Sequence, residues 1–352
     1  MSLQTFFPLI WDSTQLAEAK ACETSFYRRH IQHLNGEEST DLIAGAAFAE
    51  GTHVARRAIY TEGKSVQEGV GEGITALYTS YGDHYNQWKE AKSVERMALA
   101  LESYFAEYHP DYDDFRPIQL EDGSHAMEYN LMAEIRLPNG EPILHPTLRL
   151  PLLFNGRLDL LAEYAGEPWL VDEKTTGSYF TQTWPSSWNM RDQFTAYCWL
   201  AGQSGRPELE KLRKCMIRGI SLPSSSSKNE DTRRNFYSDI GNIKHMIAPT
   251  YRTDFMIENW YNSMIQTIVR LLGKYEMVQR SESKSPHAFF LKNGGSHCVS
   301  YGHNCFFTES CMNQNDEKYL EVEEQYIWRP DLAKRQLLST FLEEIEVMKG
   351  AN

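Results

Sequence analysis

The stretch that decides the fold runs from residue 155 to residue 176 and reads NGRLDLLAEYAGEPWLVDEKTT. The dipeptide Ala165-Gly166 is typical of a tight turn, so the stretch predicts two strands joined as a β-hairpin. Asp172 and Lys174 lie two residues apart on the second strand, so their side chains share one face of the sheet. Burying an aspartate beside a lysine is costly unless the two groups pair or bind a cation. The hairpin therefore predicts a polar site, to which Asp159 on the first strand also belongs.

The segments around the hairpin predict helices before and after a group of strands. Earlier helices are expected over 13–34 and 42–60, around 78–88, and over 94–108. Strands are expected over 127–137, 148–161 and 167–174, and later helices over 190–200, 252–277 and 330–348. Small residues in the second helix, including Gly51, would let another backbone approach closely. This order predicts an α/β fold, a mixed central sheet flanked by helices, with a helical insertion near the N-terminus.

The bulk composition limits the possible locations and partners. The chain has 352 residues and a formal net charge of −13. It has no long apolar run and no basic start of the secretory type, which predicts a soluble, cytoplasmic protein. An acidic chain is unfavourable for a nucleic-acid binder, but steering depends on local patches rather than on the sum. Basic residues cluster at four places, each more typical of a solvated helix face than of a DNA contact: Arg28-Arg29-His30, Arg56-Arg57, Arg213-Lys214 and Arg233-Arg234.

Asp159, Asp172 and Lys174 fit the chemistry of phosphodiester hydrolysis. Carboxylates hold Mg²⁺ or Mn²⁺, which polarises a phosphoryl oxygen and helps to generate hydroxide from water. An adjacent lysine can orient or deprotonate that water, or stabilise charge in the transition state. The spacing alone is weak evidence, because an ordinary hairpin with a surface ion pair has the same pattern.

Other polar residues occur before and after the hairpin. Gln193 and Tyr197 lie four residues apart on a predicted helix, so their side chains share one face. His53 lies on an earlier predicted helix, and Glu128 lies on the strand before the hairpin. Taken singly, the tyrosine could pack on the sheet and the histidine could be structural or solvated. Their context along the chain decides between these interpretations.

Taken in chain order, these residues resemble the motifs of the PD-(D/E)xK nuclease superfamily, and specifically of its RecB-like branch. The order is His53, Glu128, Asp159, Asp172-Glu173-Lys174, and then Gln193 with Tyr197. The resemblance implies a restriction-endonuclease-like core with Asp159 as the motif aspartate and Asp172-Glu173-Lys174 as the (D/E)xK triplet. Gln193-Phe-Thr-Ala-Tyr197 resembles the QxxxY motif, whose side chains reach the active site or the DNA backbone. The resemblance also implies a set of metal ligands: His53, Glu128, Asp159, Asp172 and the backbone carbonyl of Glu173. Ala49 stands where the histidine-bearing helix of this branch has a glycine.

The cysteines suggest a second site. Cys298, Cys305 and Cys311 fall within fourteen residues, and a tetrahedral thiolate site needs a fourth ligand. Cys22 is the candidate. Its segment resembles the N-terminal helix of AddB-type nucleases and of CRISPR-associated exonucleases. In those proteins, one cysteine before the nuclease core and three after it hold a [4Fe–4S] cluster.

The spacing of these cysteines leaves the kind of metal open. Six residues separate Cys298 from Cys305, where the resembled nucleases usually have two. A Zn²⁺ site in which His297 or His303 replaces a cysteine is the alternative. The two remaining cysteines are expected to be ordinary buried thiols: Cys198 and Cys215.

The expected function is a Mg²⁺- or Mn²⁺-dependent deoxyribonuclease. An exonuclease that acts on DNA ends or single strands is favoured, in DNA repair, recombination, or phage or CRISPR DNA processing. The alternatives are a site-specific endonuclease and a non-catalytic DNA-binding assembly subunit, and the intact Asp159, Asp172 and Lys174 count against the latter. Four aromatic residues after the triplet could stack on splayed bases or form a hydrophobic flap: Tyr179, Phe180, Trp184 and Trp188.

The sequence also predicts how the chain is organised. A single nuclease domain is expected over 1–352, with a helical insertion over 62–118 and the catalytic core over 120–220. A cysteine segment over 285–320 is expected to close onto Cys22. The chain has no phosphate loop of the GxxxxGK[ST] type, so a helicase or recombination partner would be a separate protein.

Overall fold

The computed structural model describes most of the chain and divides it into two compact units. The described residues are 6–35, 39–82, 91–120, 123–281, 289–293, 295, 298–300, 303–312 and 327–328. The first unit consists of Met1–Glu37, Met132–Gly156 and Asp254–Asn352, and the second of Glu38–Leu131 and Arg157–Thr253. None of the described helices is long and apolar enough to cross a membrane.

The described helices and strands are numbered in chain order. The helices are α1 (Ser13–Ala21), α2 (Glu23–Phe26), α3 (Thr40–Arg56), α4 (Val66–Tyr81), α5 (Val94–Glu107), α6 (Asp192–Gln203), α7 (Pro207–Glu210), α8 (Glu230–Ser238), α9 (Asp254–Arg280) and α10 (Thr308–Met312). The strands are β1 (Ile10–Trp11), β2 (Leu34–Asn35), β3 (Arg116–Pro117), β4 (Met127–Glu134), β5 (Leu153–Tyr164), β6 (Glu167–Thr176), β7 (Lys214–Ser221), β8 (Lys244–Tyr251), β9 (Val299–Ser300), β10 (His303–Asn304) and β11 (Ile327–Trp328).

The second unit is built on a mixed sheet. Strand β6 pairs antiparallel with β5 and parallel with β7, and β7 pairs antiparallel with β8. Strand β3 adds an antiparallel pair to β5. Almost every residue of β7 is buried, as expected for a strand with neighbours on both sides. The predicted α/β fold, a central mixed sheet flanked by helices, is confirmed.

The predicted hairpin is formed by β5 and β6. Ala165 and Gly166 both have positive φ angles, 54° and 76°, which two-residue hairpin turns of type I′ require. The register pairs Leu160 with Val171, and beyond this pair the side chain of Asp159 accepts from the backbone amide of Glu173. The turn thereby decides which acidic residues of the two strands lie side by side.

Helices α3, α4 and α5 share a hydrophobic core that includes Ile220 of β7. Helices α3 and α4 approach closely where Gly51 faces Gly73. A Cβ on Gly73 would lie 2.5 Å from the carbonyl oxygen of Gly51, and one on Gly51 would lie 2.9 Å from the carbonyl oxygen of Gly73. The small residue Gly51 therefore permits the close backbone approach that the sequence predicts.

The first unit contains β1, the start of β5, and helix α9. Ile10 of β1 pairs in parallel with Leu153 of β5. Trp11 stacks on Phe26, with ring centroids 5.1 Å apart. Helix α9 spans 27 residues and packs against α1.

The prediction of one continuous helix over 13–34 is wrong. Cys22 has extended backbone angles, φ −157° and ψ 111°, and separates α1 from α2. The reason is tertiary: the Thr24 amide donates to the carbonyl of Leu291, and the Thr24 hydroxyl donates to the carbonyl of Phe290. Contacts with a segment far along the chain thus replace helical hydrogen bonds at this position.

Other predicted boundaries also differ from the structure. The helix expected around 78–88 is α4, which begins after a capping box of Ser65 and Glu68 and ends before Gly82, at φ 57°. Strands β7 and β8 and helix α8 were not predicted. The helix expected over 330–348 lies outside the described residues.

We expect Gly73→Ala to destabilise the protein by about 1–3 kcal/mol, because the new methyl group overlaps the backbone of Gly51. Gly71→Ala on the same helix is the matched control, since a Cβ there meets nothing within 4 Å. The control should gain about 0.5–1 kcal/mol from its better helix propensity. The free energy of unfolding in urea measures both. Equal effects of the two variants would contradict the close helix contact.

Candidate active site

Asp172, which is buried, forms an ion pair with the half-buried Lys174 on β6. The Lys174 ammonium lies 2.7 Å from Oδ2 of Asp172, and the Asp172 side chain is 1% exposed. Asp159 adds a second carboxylate, whose Oδ2 accepts a hydrogen bond of 3.3 Å from the backbone amide of Glu173. The structure thus brings the three residues predicted from the hairpin into one site.

Burial determines the protonation of the two aspartates. Burial raises the pKa of Asp172 to about 7, although the neighbouring Lys174 acts in the opposite direction and Asp159 raises it further. Burial also raises the pKa of Asp159, again against the effect of Lys174. Two acids held in this way favour a bound cation, which would stabilise their ionised forms.

Lys174 keeps its proton in this environment. Burial lowers the pKa of Lys174, but Asp172 and Asp159 outweigh that effect and raise it overall. A lysine with a raised pKa is suited to orient a group or to stabilise negative charge. It is poorly suited to take a proton from water.

Helix α6 places two of the predicted residues beside Asp172. Nε2 of Gln193 donates to the Tyr197 hydroxyl at 2.9 Å and lies 3.4 Å from Oδ1 of Asp172. Arg252 fixes the start of this helix, because its guanidinium donates to the carbonyl of Arg191 at 3.2 Å and to the Thr195 hydroxyl at 2.8 Å. The four-residue spacing therefore places Gln193 and Tyr197 on the same face of α6, where Gln193 contacts both Tyr197 and Asp172.

The side chain of Glu173 points to the opposite face of β6. The expectation of a solvated helix face is wrong for Arg56, which is 4% exposed and contacts Glu173. The other residues around Glu173 were not predicted. Arg56 of α3 forms a bidentate ion pair with Glu173, and the Tyr104 hydroxyl donates to the same carboxylate at 2.7 Å. Arg218 donates to the Tyr104 hydroxyl at 3.1 Å and to Asp113 at 2.8 Å. Burial raises the pKa of Glu173, but Arg56 and Tyr104 lower it overall, so the carboxylate is ionised.

A sequence signal for Arg56 does exist. It lies three residues after His53, so both side chains fall on the same side of α3. The position of the partner on β6 cannot be inferred from that spacing. Tyr104 and Arg218 carry no local pattern that separates them from other buried residues.

His53 and Glu128 lie near the same charges. Burial lowers the pKa of His53, and its Nδ1 is buried without a hydrogen-bond partner in the described part of the chain. Burial raises the pKa of Glu128 to about 7, Asp159 raises it further, and Arg157, which ion-pairs with it at 2.7 Å, lowers it. Arg157 also acts on the charge of His53. A neutral imidazole with a free nitrogen is suited to bind a metal ion.

The donor set fits a hard divalent cation. Asp159 and Asp172 supply carboxylate oxygens, and His53 has an unpartnered nitrogen. Among the described residues, however, no group of three or more His, Cys, Asp or Glu side chains is arranged to hold a metal ion. Lys174 engages Asp172, and Arg157 engages Glu128. These carboxylates would have to exchange a side-chain cation for a metal.

The candidate cluster cysteines lie in the first unit. Burial raises the pKa of Cys305, and Cys22 and Cys298 add to that effect. Burial likewise raises the pKa of Cys311, to which Cys22 and Cys305 contribute. Among the described residues, however, these thiols are not arranged as a metal-binding group. All four are free, as are Cys198 and Cys215, two buried thiols joined by a hydrogen bond.

A chain of hydrogen bonds ties the cysteine segment to the region of Cys22. The Asn293 side chain donates to the carbonyl of Ala21 at 2.7 Å, and the thiol of Cys298 donates to the carbonyl of Asn293 at 3.3 Å. The Cys305 amide donates to the carbonyl of Cys298 at 2.7 Å. His297 lies outside the described residues, as does the side chain of His303.

A comparison with protein families identifies the chain. Residues 13–311 match the family model described as the PD-(D/E)XK nuclease superfamily. The chain belongs to this superfamily. The match spans the strands with Asp159, Asp172 and Lys174, and membership indicates a metal-dependent nuclease. PD-(D/E)XK nucleases typically use Mg²⁺ or Mn²⁺, and a nuclease would bind DNA.

Other comparisons add little to the family match. No curated protein matches the chain. Thirteen chains of solved structures do, one of them titled "Crystal structure of SSO0001". It is 11% identical, and the alignment covers 72% of this chain and 82% of that chain at a TM-score of 0.25.

We expect Asp172→Asn to change how stability depends on pH. Between the ordinary pKa of 3.8 and the raised value of about 7, folded wild type keeps a proton that the unfolded chain releases. The free energy of unfolding of wild type therefore falls as pH rises through this window. The free energy of unfolding of the asparagine variant does not fall for this reason. Without metal, it should therefore increase relative to that of wild type by on the order of 1–4 kcal/mol between pH 5 and pH 8.

Urea unfolding in EDTA at pH 5 and pH 8 measures this difference. Asp231→Asn, at an exposed position of α8, is the control and should follow wild type. Parallel pH dependence of wild type and Asp172→Asn would contradict the raised pKa.

Proposed function

We propose that the protein is a Mg²⁺- or Mn²⁺-dependent DNA nuclease of the RecB-like branch. We further propose that it is an exonuclease acting on DNA ends or single strands. The observation that carries the proposal is the ion pair of the buried Asp172 with Lys174, with Asp159 and Gln193 beside it. The exonuclease preference rests on the resemblance of Gln193 and Tyr197 to the QxxxY motif.

Each residue of the site has a role in this proposal. Asp159, Asp172, the backbone carbonyl of Glu173 and His53 would hold the cation, and Glu128 is a further candidate ligand. The cation supplies Lewis-acid chemistry to the scissile phosphate. Lys174, protonated and next to Asp172, stabilises the negative charge that develops on the phosphoryl oxygens.

Gln193 and Tyr197 act on the aspartate and the substrate. Gln193 holds Oδ1 of Asp172, which leaves the other carboxylate oxygen to Lys174 or to the cation. In this proposal the Tyr197 hydroxyl, which accepts a hydrogen bond from Gln193, contacts the substrate backbone.

The aromatic residues after β6 provide a surface for unpaired bases. Trp184 stacks edgewise on Phe180 and Trp188, with centroids 4.7 and 5.4 Å apart, and Tyr179 is 63% exposed. Phe180, Trp184 and Trp188 are half-buried, so Tyr179 is the ring that is open to a base, and such a ring stacks on bases without reading their sequence. This arrangement supports a single-strand preference.

We also propose that Cys22, Cys298, Cys305 and Cys311 hold a [4Fe–4S] cluster, with Zn²⁺ as the alternative. The hydrogen bonds around Asn293, which join the cysteine segment to the region of Cys22, support this proposal. In the same proposal, residues 1–352 form one nuclease domain, with an insertion over 62–118, a catalytic core over 120–220 and a cysteine segment over 285–320. A helicase or recombination protein would be a separate partner.

We expect wild type to degrade end-labelled linear DNA with Mg²⁺ or Mn²⁺ and to leave closed circular DNA intact. Asp172→Asn and Lys174→Met should each reduce the rate by about 10²-fold or more, because each removes a group that acts on the reacting phosphate. Lys64→Met, at an ion pair with Glu72, is the control and should keep the wild-type rate.

The outcomes of this assay are distinct. Cutting of closed circles would favour the site-specific endonuclease. Equal, metal-independent rates for wild type and both site variants on linear and circular DNA and RNA would rule out catalysis at this site.

We expect anaerobically purified protein to show a broad absorbance band near about 400 nm if the cluster is iron–sulfur. Cys22→Ser should lose this band, whereas Cys198→Ser should keep it, because Cys198 is buried beside Cys215 and is not one of the proposed ligands. A colourless protein that contains stoichiometric zinc would support the alternative.

A further inference from the structure

Arg96, in the first turn of α5, has a buried guanidinium that no acceptor satisfies. Its side chain is 0% exposed, and none of its three nitrogens has a hydrogen-bond partner in the described part of the chain. Cζ lies 5.2 and 4.7 Å from the ring centroids of Phe236 and Tyr237. Aromatic faces stabilise a cation but do not replace the hydrogen bonds that its N–H groups lose on leaving water. The guanidinium is therefore suited to an anion.

The surroundings of Arg96 favour negative charge. Ser93 caps α5, a helix of 14 residues, by accepting from the amide of Arg96, and Glu95 lies in the same first turn. The helix dipole attracts anions to this end. Side chains in a helix lean toward its N-terminus, so Arg96 adds its charge at the same end. No described carboxylate forms an ion pair with Arg96.

This end of α5 adjoins the strand that carries the candidate active site. The Lys92 ammonium donates to the carbonyl of Thr175 at 3.4 Å, and a Cβ on Gly177 would lie 3.8 Å from that of Ala91. Tyr179 is close enough to act on the charge of Arg96. It follows Lys174 by five residues, a length of chain that spans at most about 18 Å.

Helix α8 carries a second arginine on the face that bears Phe236 and Tyr237. Arg233 precedes Phe236 and Tyr237 by three and four residues, so the three side chains share one face of α8. Its Nε is also buried without a hydrogen-bond partner among the described residues. Tyr237 is the buried residue of α8, and the helix is otherwise largely exposed.

We propose that Arg96, Arg233 and the N-terminus of α5 form a phosphate-binding site for the backbone of the nucleic-acid substrate. This inference rests on the proposed nuclease function and adds a site beyond the cleaved bond. Guanidinium groups bind phosphate oxygens through paired N–H donors, and backbone amides add further donors. Phe236 and Tyr237 cover the guanidinium of Arg96 in the structure, so the proposal requires α8 to move aside before the phosphate binds.

The first test measures binding without cleavage. In an Asp172→Asn background, the affinity for a single-stranded oligonucleotide is measured over a range of salt concentrations. Arg233→Gln should weaken binding about tenfold and reduce the slope of log affinity against log salt by about 1, the loss of one phosphate contact. Arg234→Gln, at the exposed neighbouring position, should change neither quantity.

The second test uses inorganic phosphate. At equal ionic strength, phosphate should raise the Tm of wild type and of Arg234→Gln above the values in chloride, because it binds the folded state. Arg233→Gln and Arg96→Met should lose this increase. Arg233→Gln keeps the test decisive if Arg96→Met does not fold.

The outcomes distinguish the phosphates of nucleic acid from free phosphate. They also distinguish failure of the phosphate site from failure of the proposed nuclease function. Loss of phosphate stabilisation with unchanged DNA binding would overturn the backbone assignment in favour of free phosphate. Equal effects of Arg233→Gln and Arg234→Gln would overturn the site in favour of general electrostatic attraction. Neither experiment requires cleavage, so failure of the nuclease assay would leave both results interpretable.

Discussion

Three consecutive charged residues on one buried strand are the constraint that organises the nuclease unit. Because side chains alternate along β6, Asp172 and Lys174 face one side of the sheet and Glu173 faces the other. Each side must supply partners, since a buried charge without one is strongly destabilising. Helix α6 supplies Gln193 on the first side, and Arg56 with Tyr104 does so on the second. The layers above and below the sheet are thus tied to the strand by polar contacts as well as by the apolar core.

The two sides of β6 are balanced differently. Glu173 has more cationic and hydrogen-bonding partners than it needs, and it is ionised at every physiological pH. Asp172 and Asp159 share a single lysine, and burial raises the pKa of each. The network around Glu173 holds the strand in place. The two aspartates, by contrast, would be further stabilised in their ionised forms by an additional positive charge. The charge of Glu173 is neutralised on one side of β6, while the aspartates on the other side can still bind a cation, as a cation-dependent active site requires.

Local patterns revealed the parts of the structure that local physics determines. The Ala165-Gly166 turn, the period-two spacing of Asp172 and Lys174, and the four-residue spacing of Gln193 and Tyr197 were all readable from the sequence. Strand β7 was missed because its nearly complete burial removes the alternation that identifies strands. The break at Cys22 depends on Leu291, which lies far along the chain, and Arg56 gave no sign of its partner. Contacts between distant segments are what a single sequence conceals.

The bond between Arg56 and Glu173 also bears on how the superfamily motif is written. The middle position of (D/E)xK is left as x, which treats it as unrestricted. In this chain, that position carries the buried carboxylate of Glu173. Its counterion is Arg56, which lies on α3 three residues after the candidate metal ligand His53. Among related sequences, the identities of these two positions should therefore covary, and homologues with a neutral middle residue should lack the arginine. A motif position that is variable across the superfamily can be fixed within one lineage by its partner.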